Sequence, residues 1–307
     1  METPDVRLAS DNINATTLHG VIAPVVTPLD LAGRFCPGQF EKLLKHLYCN
    51  GGVHGLYVCG QTGEGISLPL SQRKQVAEMA VSNSPPGKAT IIHVAAHSTA
   101  DAIELAEHAS RIGATAISSA PPIGFECYSF VEIKKYYEAL ATATSLPLLI
   151  YYCPAACSTI MNIDQVLELC QIPGVVGLKF TSFDLFMLSQ LRRHTSVVFI
   201  GRDEVLVAGL LMGADGGIGA FYNVIPGDFV RLYELAKNGD WEQARQVQSH
   251  INDLVRIVLR FPFVAVIKLL LSWSGIDCGS CISPARSLTL SEQAELRPSV
   301  ARWGLPI

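Results

Sequence analysis

The strongest constraint on the fold is an alternation of short apolar segments with longer amphipathic segments between residues 20 and 220. The short segments are rich in β-branched residues and predict buried strands, whereas the longer ones have helical spacing. Strands are predicted at residues 20–26, 55–58, 90–94, 114–119, 146–152, 175–180, 197–201 and 216–220. Helices are predicted near residues 37–50, 71–83, 98–112, 129–144, 162–171, 183–194 and 202–213. Ser98 and Asp184 occupy predicted N-cap positions.

Strands that alternate with helices form a parallel sheet, and eight such units close into a (β/α)₈ TIM barrel of the α/β class. A doubly wound sheet would need a nucleotide-binding glycine motif, and none is found in this sequence. The periodicity stays helical after the eighth strand, near residues 226–238, 241–260, 262–274 and 291–303. We therefore predict an N-terminal tail over residues 1–19, a barrel over 20–224 and a C-terminal helical extension over 225–307 that packs on the barrel.

The composition limits the classes of partner that the chain is expected to bind. Apolar residues make up 49% of its 307 residues, and the net charge of −4 leaves no basic patch for nucleic acid. The longest apolar stretch, residues 261–273, contains Lys268 and is shorter than the roughly 20 residues of a membrane helix. The N-terminal residues lack the pattern of a signal peptide, and nine cysteines suit reduced thiols better than a disulfide framework. We expect a cytoplasmic protein that binds neither nucleic acid nor membrane, and the apolar fraction predicts a homo-oligomer.

Lys179 is the most informative residue at the strand ends, where barrels of this kind carry their catalytic groups. Period-two alternation directs Lys179 into the barrel and Val176, Leu178 and Phe180 toward the helices. Desolvation lowers the pKa of a buried lysine toward neutrality, which frees its amine to attack a ketone. The alternative is a structural ion pair, for which no partner is evident at the adjacent strand ends.

Three other strand ends carry suitable polar groups. Tyr151 ends the preceding strand on the same inward face, where a phenol can shuttle protons or simply fill the core. The loop after the second strand places Gln61 and Thr62 among closely spaced backbone N–H groups, which suits a carboxylate. Asp203 and Glu204 end the seventh strand and are suited to accept hydrogen bonds from sugar hydroxyls, to cap the next helix, or to do both.

Four segments together resemble the N-acetylneuraminate lyase/dihydrodipicolinate synthase superfamily of class I pyruvate-dependent aldolases: residues 20–28, 60–64, 151–154 and 177–179. The resemblance covers nearly the whole chain from about residue 20. It implies that Lys179 forms a Schiff base with pyruvate, that Tyr151 transfers protons, and that Gln61 and Thr62 hold the carboxylate. It also implies a small-molecule 2-oxo acid substrate, a homotetramer, and no cofactor or metal besides the covalent imine on Lys179.

Within this superfamily the chain most resembles the N-acetylneuraminate lyase branch. The resemblance implies a further set of substrate-binding residues, which are Thr181, Gly201, Asp203, Glu204, Gly219 and Ala220. Three positions depart from the pattern of hydroxyl residues: Gln61, Ala220 and the segment at Ile123, where a relay tyrosine is expected. His97, just after the third strand, is a candidate to replace part of that relay.

The preferred interpretation is a lyase that cleaves a 2-oxo-3-deoxy sugar acid such as N-acetylneuraminate to pyruvate and an aldehyde. Dehydration of such an acid and a dihydrodipicolinate synthase-like condensation of pyruvate are the alternative reactions. A different class of alternative is a non-catalytic paralogue that binds sugar acids. A metal-dependent aldolase is disfavoured, because the eight histidines form no ligand cluster at the strand ends.

Overall fold

A computed structural model of the protein describes residues 17–122, 127–157 and 159–305. Its eight parallel strands pair in chain order, and the first strand also pairs with the eighth, so the sheet closes into a barrel. The strands are β1 (Gly20–Pro24), β2 (Gly55–Val58), β3 (Ala89–His93), β4 (Ala116–Ser119), β5 (Leu148–Tyr152), β6 (Val175–Phe180), β7 (Val197–Ile200) and β8 (Gly216–Gly217). The predicted (β/α)₈ barrel and all eight of its strands are therefore confirmed.

Helices connect the strands and continue after the barrel closes. They are α1 (Pro37–Lys45), α2 (Leu70–Ser82), α3 (Thr99–Arg111), α4 (Phe130–Ala143), α5 (Ile163–Cys170), α6 (Leu185–Arg192), α7 (Leu206–Leu211), α8 (Pro226–Lys237), α9 (Trp241–Val258), α10 (Phe263–Trp273) and α11 (Leu290–Trp303). Both predicted N-caps are confirmed, because the side chains of Ser98 and Asp184 accept hydrogen bonds from backbone N–H groups of α3 and α6. Helix α8 packs on β1, and α9 packs on α8. The division of the chain after residues 19 and 224 stays a prediction.

The eighth strand is shorter than predicted. It ends at Gly217, and the chain then forms a 3₁₀ turn over Ala220–Asn223. The carboxylate of Asp203 accepts hydrogen bonds from the N–H groups of Ala220 and Phe221, at 3.1 and 3.0 Å. These two bonds turn the backbone away from the strand direction. The apolar sequence pattern therefore extends past Gly217, although the hydrogen bonds of the strand stop there.

One side chain of β6 lies on the opposite face from its prediction. Leu178 and Phe180 pack in the layer between strands and helices, as the alternation predicts. Val176 packs against the apolar cluster inside the barrel, so its predicted position was wrong. The pairing register of β5 with β6 shifts between Leu148 and Leu149. A shift of one residue moves a side chain to the other face of a sheet, which accounts for Val176.

A buried ion pair joins the loop after β2 to the C-terminal helices. Nζ of Lys268 in α10 lies 2.5 Å from Oε2 of Glu64, and the two side chains are 2% and 8% exposed. Lys268 also donates to the carbonyl of Ser280, and Oε1 of Glu64 accepts from the N–H of Ile282. The backbone of Glu64 is left-handed, with φ at 53°, which is strained for a residue other than glycine. The contacts with the C-terminal segment hold the loop in this conformation.

Glu64→Gln is expected to lower the free energy of unfolding by about 3–5 kcal/mol, because it leaves the ammonium of Lys268 buried without its counter-charge. Urea unfolding measures this loss. The double variant Glu64→Gln, Lys268→Met removes both charges and should recover most of it. A loss below about 1 kcal/mol in the single variant would contradict a stabilising role for the pair.

Three further features of the described residues bear on possible partners. No helix there is both long enough and apolar enough to cross a membrane. No group of three or more His, Cys, Asp or Glu side chains in these ranges is arranged to hold a metal ion. The closely spaced Cys153 and Cys157 and the pair Cys278 and Cys281 are free thiols.

Candidate active site

One cavity of about 290 Å³ at the carboxyl ends of the strands brings most of the predicted site residues together. Nine of them contribute to its wall: Gln61, Thr62, Tyr151, Lys179, Thr181, Gly201, Asp203, Glu204 and Ala220. The remaining one, Gly219, lies behind Asp203, where a Cβ atom would come within 2.5 Å of the carboxylate oxygen Oδ1. Barrel closure thus places residues from β2, β5, β6, β7 and the segment after β8 around one space.

Lys179 is 4% exposed and is held between two aromatic rings. Its Nζ lies 3.9 Å from the ring centroid of Tyr57 and 4.1 Å from that of Tyr151. Burial lowers the pKa of Lys179 to about 7, while electrostatic interactions with Cys153 and Asp203 act in the opposite direction. At neutral pH a large fraction of this lysine is therefore a free amine, the form that attacks a carbonyl.

Tyr151 lies beside the lysine in the wall of the same cavity. Its hydroxyl donates a hydrogen bond to Oε1 of Gln61 at 3.4 Å. Burial raises the pKa of Tyr151 well above 10, so its phenol stays protonated at neutral pH. A protonated phenol can donate one hydrogen bond while it accepts another, which is the requirement for passing a proton along.

His93, inside β3, supports the ring of Tyr151. The two ring centroids are 5.7 Å apart with an interplanar angle of 79°. Nε2 of His93 accepts from the N–H of Ala120 at 3.3 Å, so the ring proton is on Nδ1 and points to the carbonyl of Cys59 at 3.1 Å. Burial, helped by nearby positive charge, lowers the pKa of His93 well below 6.5. Its two nitrogens are thus occupied, and its ring packs edge-on against that of Tyr151.

His97 does not take the place predicted for it. The residue is exposed and does not contribute to the wall of the cavity that holds Lys179. The third strand ends at His93, so His97 lies four residues beyond the strand end and two residues before α3 begins. The histidine that reaches the centre of the barrel is His93, which period-two alternation along β3 places inward with Ile91.

The loop after β2 has the free donors that a carboxylate needs. The N–H groups of Glu64 and Gly65 are used inside the turn, where they donate to Gln61 and Gly60. The N–H groups of residues 61–63 have no acceptor elsewhere in the described residues. A Cβ atom on Gly65 would lie 1.8 Å from the carbonyl oxygen of Cys59, so the turn requires glycine there. Successive free N–H groups form a cradle for an anion.

Thr181 and Gly201 face each other across β6 and β7. A Cβ atom on Gly201 would lie 1.9 Å from Oγ1 of Thr181, so only glycine leaves room for this hydroxyl. Oγ1 of Thr181 is buried and has no hydrogen-bond partner in the described residues. The hydroxyl is therefore available to a ligand in the cavity, since a buried polar atom without a partner is costly.

The two acidic residues after β7 differ in burial: Asp203 is buried and Glu204 is half-buried. Asp203 is 7% exposed, and burial together with the charge of Glu204 raises its pKa to about 7, against the hydrogen bonds from Phe221 and Ala220. The backbone carbonyls of Asp203 and Glu204 accept hydrogen bonds from side-chain amides of α9 at 2.9 and 3.0 Å. Helix α9 thus positions both residues, and half-buried Glu204 faces the cavity.

Several residues in the cavity wall or directly behind it were missed by the sequence analysis. Tyr57 packs under the ammonium of Lys179, and Arg202 and Phe263 contribute to the cavity wall. Alternation along β2 would have predicted the inward face of Tyr57, and Arg202 lies directly before the acidic pair. No local signal predicts Phe263, which belongs to α10.

A larger cavity of about 410 Å³ lies beside the first and shares Gln61 and Tyr151 with it. Its wall is mainly apolar and includes Ile66, Val264 and Ile282, but Lys179 does not contribute to it. The imine chemistry predicted from the sequence therefore belongs to the smaller cavity. Ile123, where a relay tyrosine is expected, lies outside the described residues.

Comparisons with known proteins agree with this geometry. The model of the dihydrodipicolinate synthetase family matches residues 17–302. An N-acetylneuraminate lyase of Escherichia coli (strain SMS-3-5 / SECEC) is 35% identical over 266 residues, which cover 85% of this chain and 89% of that protein.

Two similar solved structures add to the comparison. A Clostridium difficile protein in complex with mannosamine superimposes with a TM-score of 0.88 at 28% identity, covering 93% of this chain and 99% of the other. A catalytic lysine mutant of Ruminococcus gnavus sialic acid aldolase has a TM-score of 0.88 at 27% identity, covering 95% and 97%. The chain belongs to the dihydrodipicolinate synthetase family.

Proposed function

We propose that the protein is a class I, Schiff-base aldolase that cleaves a 2-oxo-3-deoxy sugar acid such as N-acetylneuraminate to pyruvate and an aldehyde. The observation that carries this proposal is Lys179, a buried amine with a pKa of about 7 in a cavity that also holds a phenol and an anion cradle. The similarity to an N-acetylneuraminate lyase and to a sialic acid aldolase with a catalytic lysine supports it.

The reaction begins with the amine of Lys179 attacking the C2 ketone. The carboxylate at C1 is held by the free N–H groups of residues 61–63 and by the Thr62 hydroxyl, so that C2 faces the amine. The resulting carbinolamine loses water to give a protonated imine. Tyr151 donates the proton that the departing hydroxyl needs, because its phenol stays protonated at neutral pH.

Cleavage of the C3–C4 bond follows. The electron pair of this bond moves to the imine nitrogen and forms an enamine, while the C4 hydroxyl loses its proton and becomes the aldehyde. Tyr151 relays that proton to C3, which converts the enamine into the imine of pyruvate. Water then hydrolyses the imine and frees Lys179. The protonated imine is the electron sink, so we propose that the reaction uses no metal or dissociable cofactor.

A direct test is the release of pyruvate from N-acetylneuraminate and from shorter 2-oxo-3-deoxy sugar acids, with the aldehyde identified by mass spectrometry. Pyruvate and aldehyde in equal amounts are the expected products. A product that has lost water and retains all its carbon atoms would show a dehydratase, and turnover of none of the acids would favour a non-catalytic binding protein.

Imine formation with pyruvate is expected to increase about tenfold from pH 6 to pH 8, because the free-amine fraction of Lys179 rises through its pKa of about 7. Borohydride trapping at short times measures this rate. Burial raises the pKa of Asp203 to about 7 as well, so Asp203→Asn serves as the control. Loss of that negative charge should move the profile to lower pH without abolishing it. A midpoint near 10 would contradict a desolvated lysine.

We also propose that the chain is a homotetramer in the cytoplasm. Large apolar side chains remain exposed on the single chain, among them Leu31, Ile160, Phe186 and Leu290. Burial between subunits would remove them from water, which favours association. Light scattering at micromolar concentration is expected to give the tetramer mass, and a monomer would contradict this proposal.

A further inference from the structure

Arg202 is a cation in the wall of the active-site cavity that the catalytic scheme above does not use. It directly follows the Gly201 position at the end of β7. Its guanidinium stacks on the ring of Phe183, with Cζ 4.6 Å from the ring centroid. Its Nε is buried and has no hydrogen-bond partner in the described part of the chain. The stacking fixes the plane of the guanidinium, while Nε stays available to an acceptor from a ligand.

Neither neighbouring carboxylate neutralises this cation. The oxygens of Asp203 are directed at the backbone amides of Ala220 and Phe221. None of the ion pairs among the described residues joins Arg202 to Asp203 or Glu204. A partly buried guanidinium without a protein acceptor is unfavourable, because its lost hydration is not replaced. An anionic group of a bound ligand would replace the lost hydration.

The position of Arg202 on the barrel indicates which part of a ligand it meets. The carboxylate cradle at residues 61–63 follows β2, whereas Arg202 follows β7. In the closed barrel β1 and β8 lie between these two strands, and β7 adjoins the lysine strand β6. A 2-oxo acid held by its C1 carboxylate at the cradle thus has that carboxylate on a different side of the cavity mouth from Arg202.

We propose that Arg202 binds a second anionic group, a phosphate monoester or a carboxylate, on the part of the sugar acid that leaves as the aldehyde. This inference rests on the proposed aldolase function and narrows its substrate class. The planar guanidinium matches both anions through paired N–H donors. Glu204 in the same wall accepts hydrogen bonds from hydroxyls of the same fragment.

The test uses the reverse reaction, in which pyruvate adds to an aldehyde. Two matched pairs of acceptors differ in the charge of the tail: N-acetylmannosamine against its 6-phosphate, and mannose against mannuronate. The wild-type protein is expected to favour the charged member of at least one pair. Arg202→Met should lower kcat/KM for that member by roughly 10- to 100-fold relative to its uncharged partner, the usual effect of a lost charge-assisted hydrogen bond.

Two further variants control for charge alone. Arg202→Lys keeps the positive charge but loses the paired donors, so it should recover only part of the preference. Arg193→Met removes an exposed arginine that lies outside the cavity wall and should leave the preference unchanged. The pair that responds to Arg202→Met identifies the anion as phosphate or carboxylate.

Trapping of pyruvate on Lys179 with borohydride distinguishes a failure of the proposed aldolase function from a failure of the proposed role of Arg202. Wild-type protein that traps no pyruvate would overturn the aldolase function itself. Wild-type protein that traps pyruvate but favours neither charged acceptor would overturn the role of Arg202 alone. Loss of pyruvate trapping in Arg202→Met would also overturn it, because Arg202 would then serve the C1 carboxylate.

Discussion

Lys179→Met is expected to lower the rate of substrate cleavage by at least about 10⁴-fold, because no other group in the site can form the covalent electron sink. Methionine has nearly the length of lysine and fits between the rings of Tyr57 and Tyr151. The folded state would no longer bury an amine whose pKa is lowered by burial. The variant should therefore unfold at a urea concentration equal to or above that of the wild type.

The decisive measurement is the site of covalent labelling. Wild-type protein treated with pyruvate and borohydride should gain one stable secondary amine, and peptide mapping should locate it at Lys179. The variant should gain none. Lys135→Met, which removes an exposed lysine from α4, is the matched control and should be labelled like the wild type. Labelling at any other lysine, or residual turnover above about one per cent in Lys179→Met, would refute the assigned nucleophile.

Tyr151→Phe is expected to lower kcat by roughly 10²–10⁴-fold, the usual contribution of a general acid–base group. The ring, its contact with His93 and its packing on Lys179 all remain, so only the hydroxyl and its hydrogen bond to Gln61 are lost. The substrate should still bind, because the carboxylate cradle is unchanged. Steady-state kinetics should show the loss in kcat with a smaller change in KM.

The next residue in the chain supplies the control for this prediction. Tyr152 lies on the opposite face of β5, stacks on Phe180 and donates to the carbonyl of Met161 at 3.2 Å. Tyr152→Phe removes a buried hydrogen bond outside the cavity and should cost about 0.5–1.5 kcal/mol of stability while kcat stays within about threefold. Equal losses of kcat in the two variants would mean that Tyr151 contributes packing and not proton transfer.

The (β/α)₈ class, the eight strands and the positions of nearly all helices were predictable because each depends on local periodicity. Side chains alternate along a strand and repeat every 3.6 residues along a helix, so a short segment contains its own pattern. The same alternation correctly predicted Lys179 and Tyr151 on the inward face. It failed at Val176, where the register between two strands shifts. A register is a property of two segments together, so one segment cannot reveal it.

The sequence by itself therefore determined the barrel, the inward lysine and the residues at the ends of its strands. Only the tertiary structure decided which distant groups meet them: Tyr57 under the amine and Gln61 on the hydroxyl of Tyr151. It also left Nε of Arg202 in the cavity wall without a hydrogen-bond partner among the residues that the structure describes. It also decided that Lys268 of a C-terminal helix neutralises Glu64 in the loop after β2, about 200 residues earlier. The pKa of Lys179 depends on such contacts, because desolvation arises from every segment that closes around the amine.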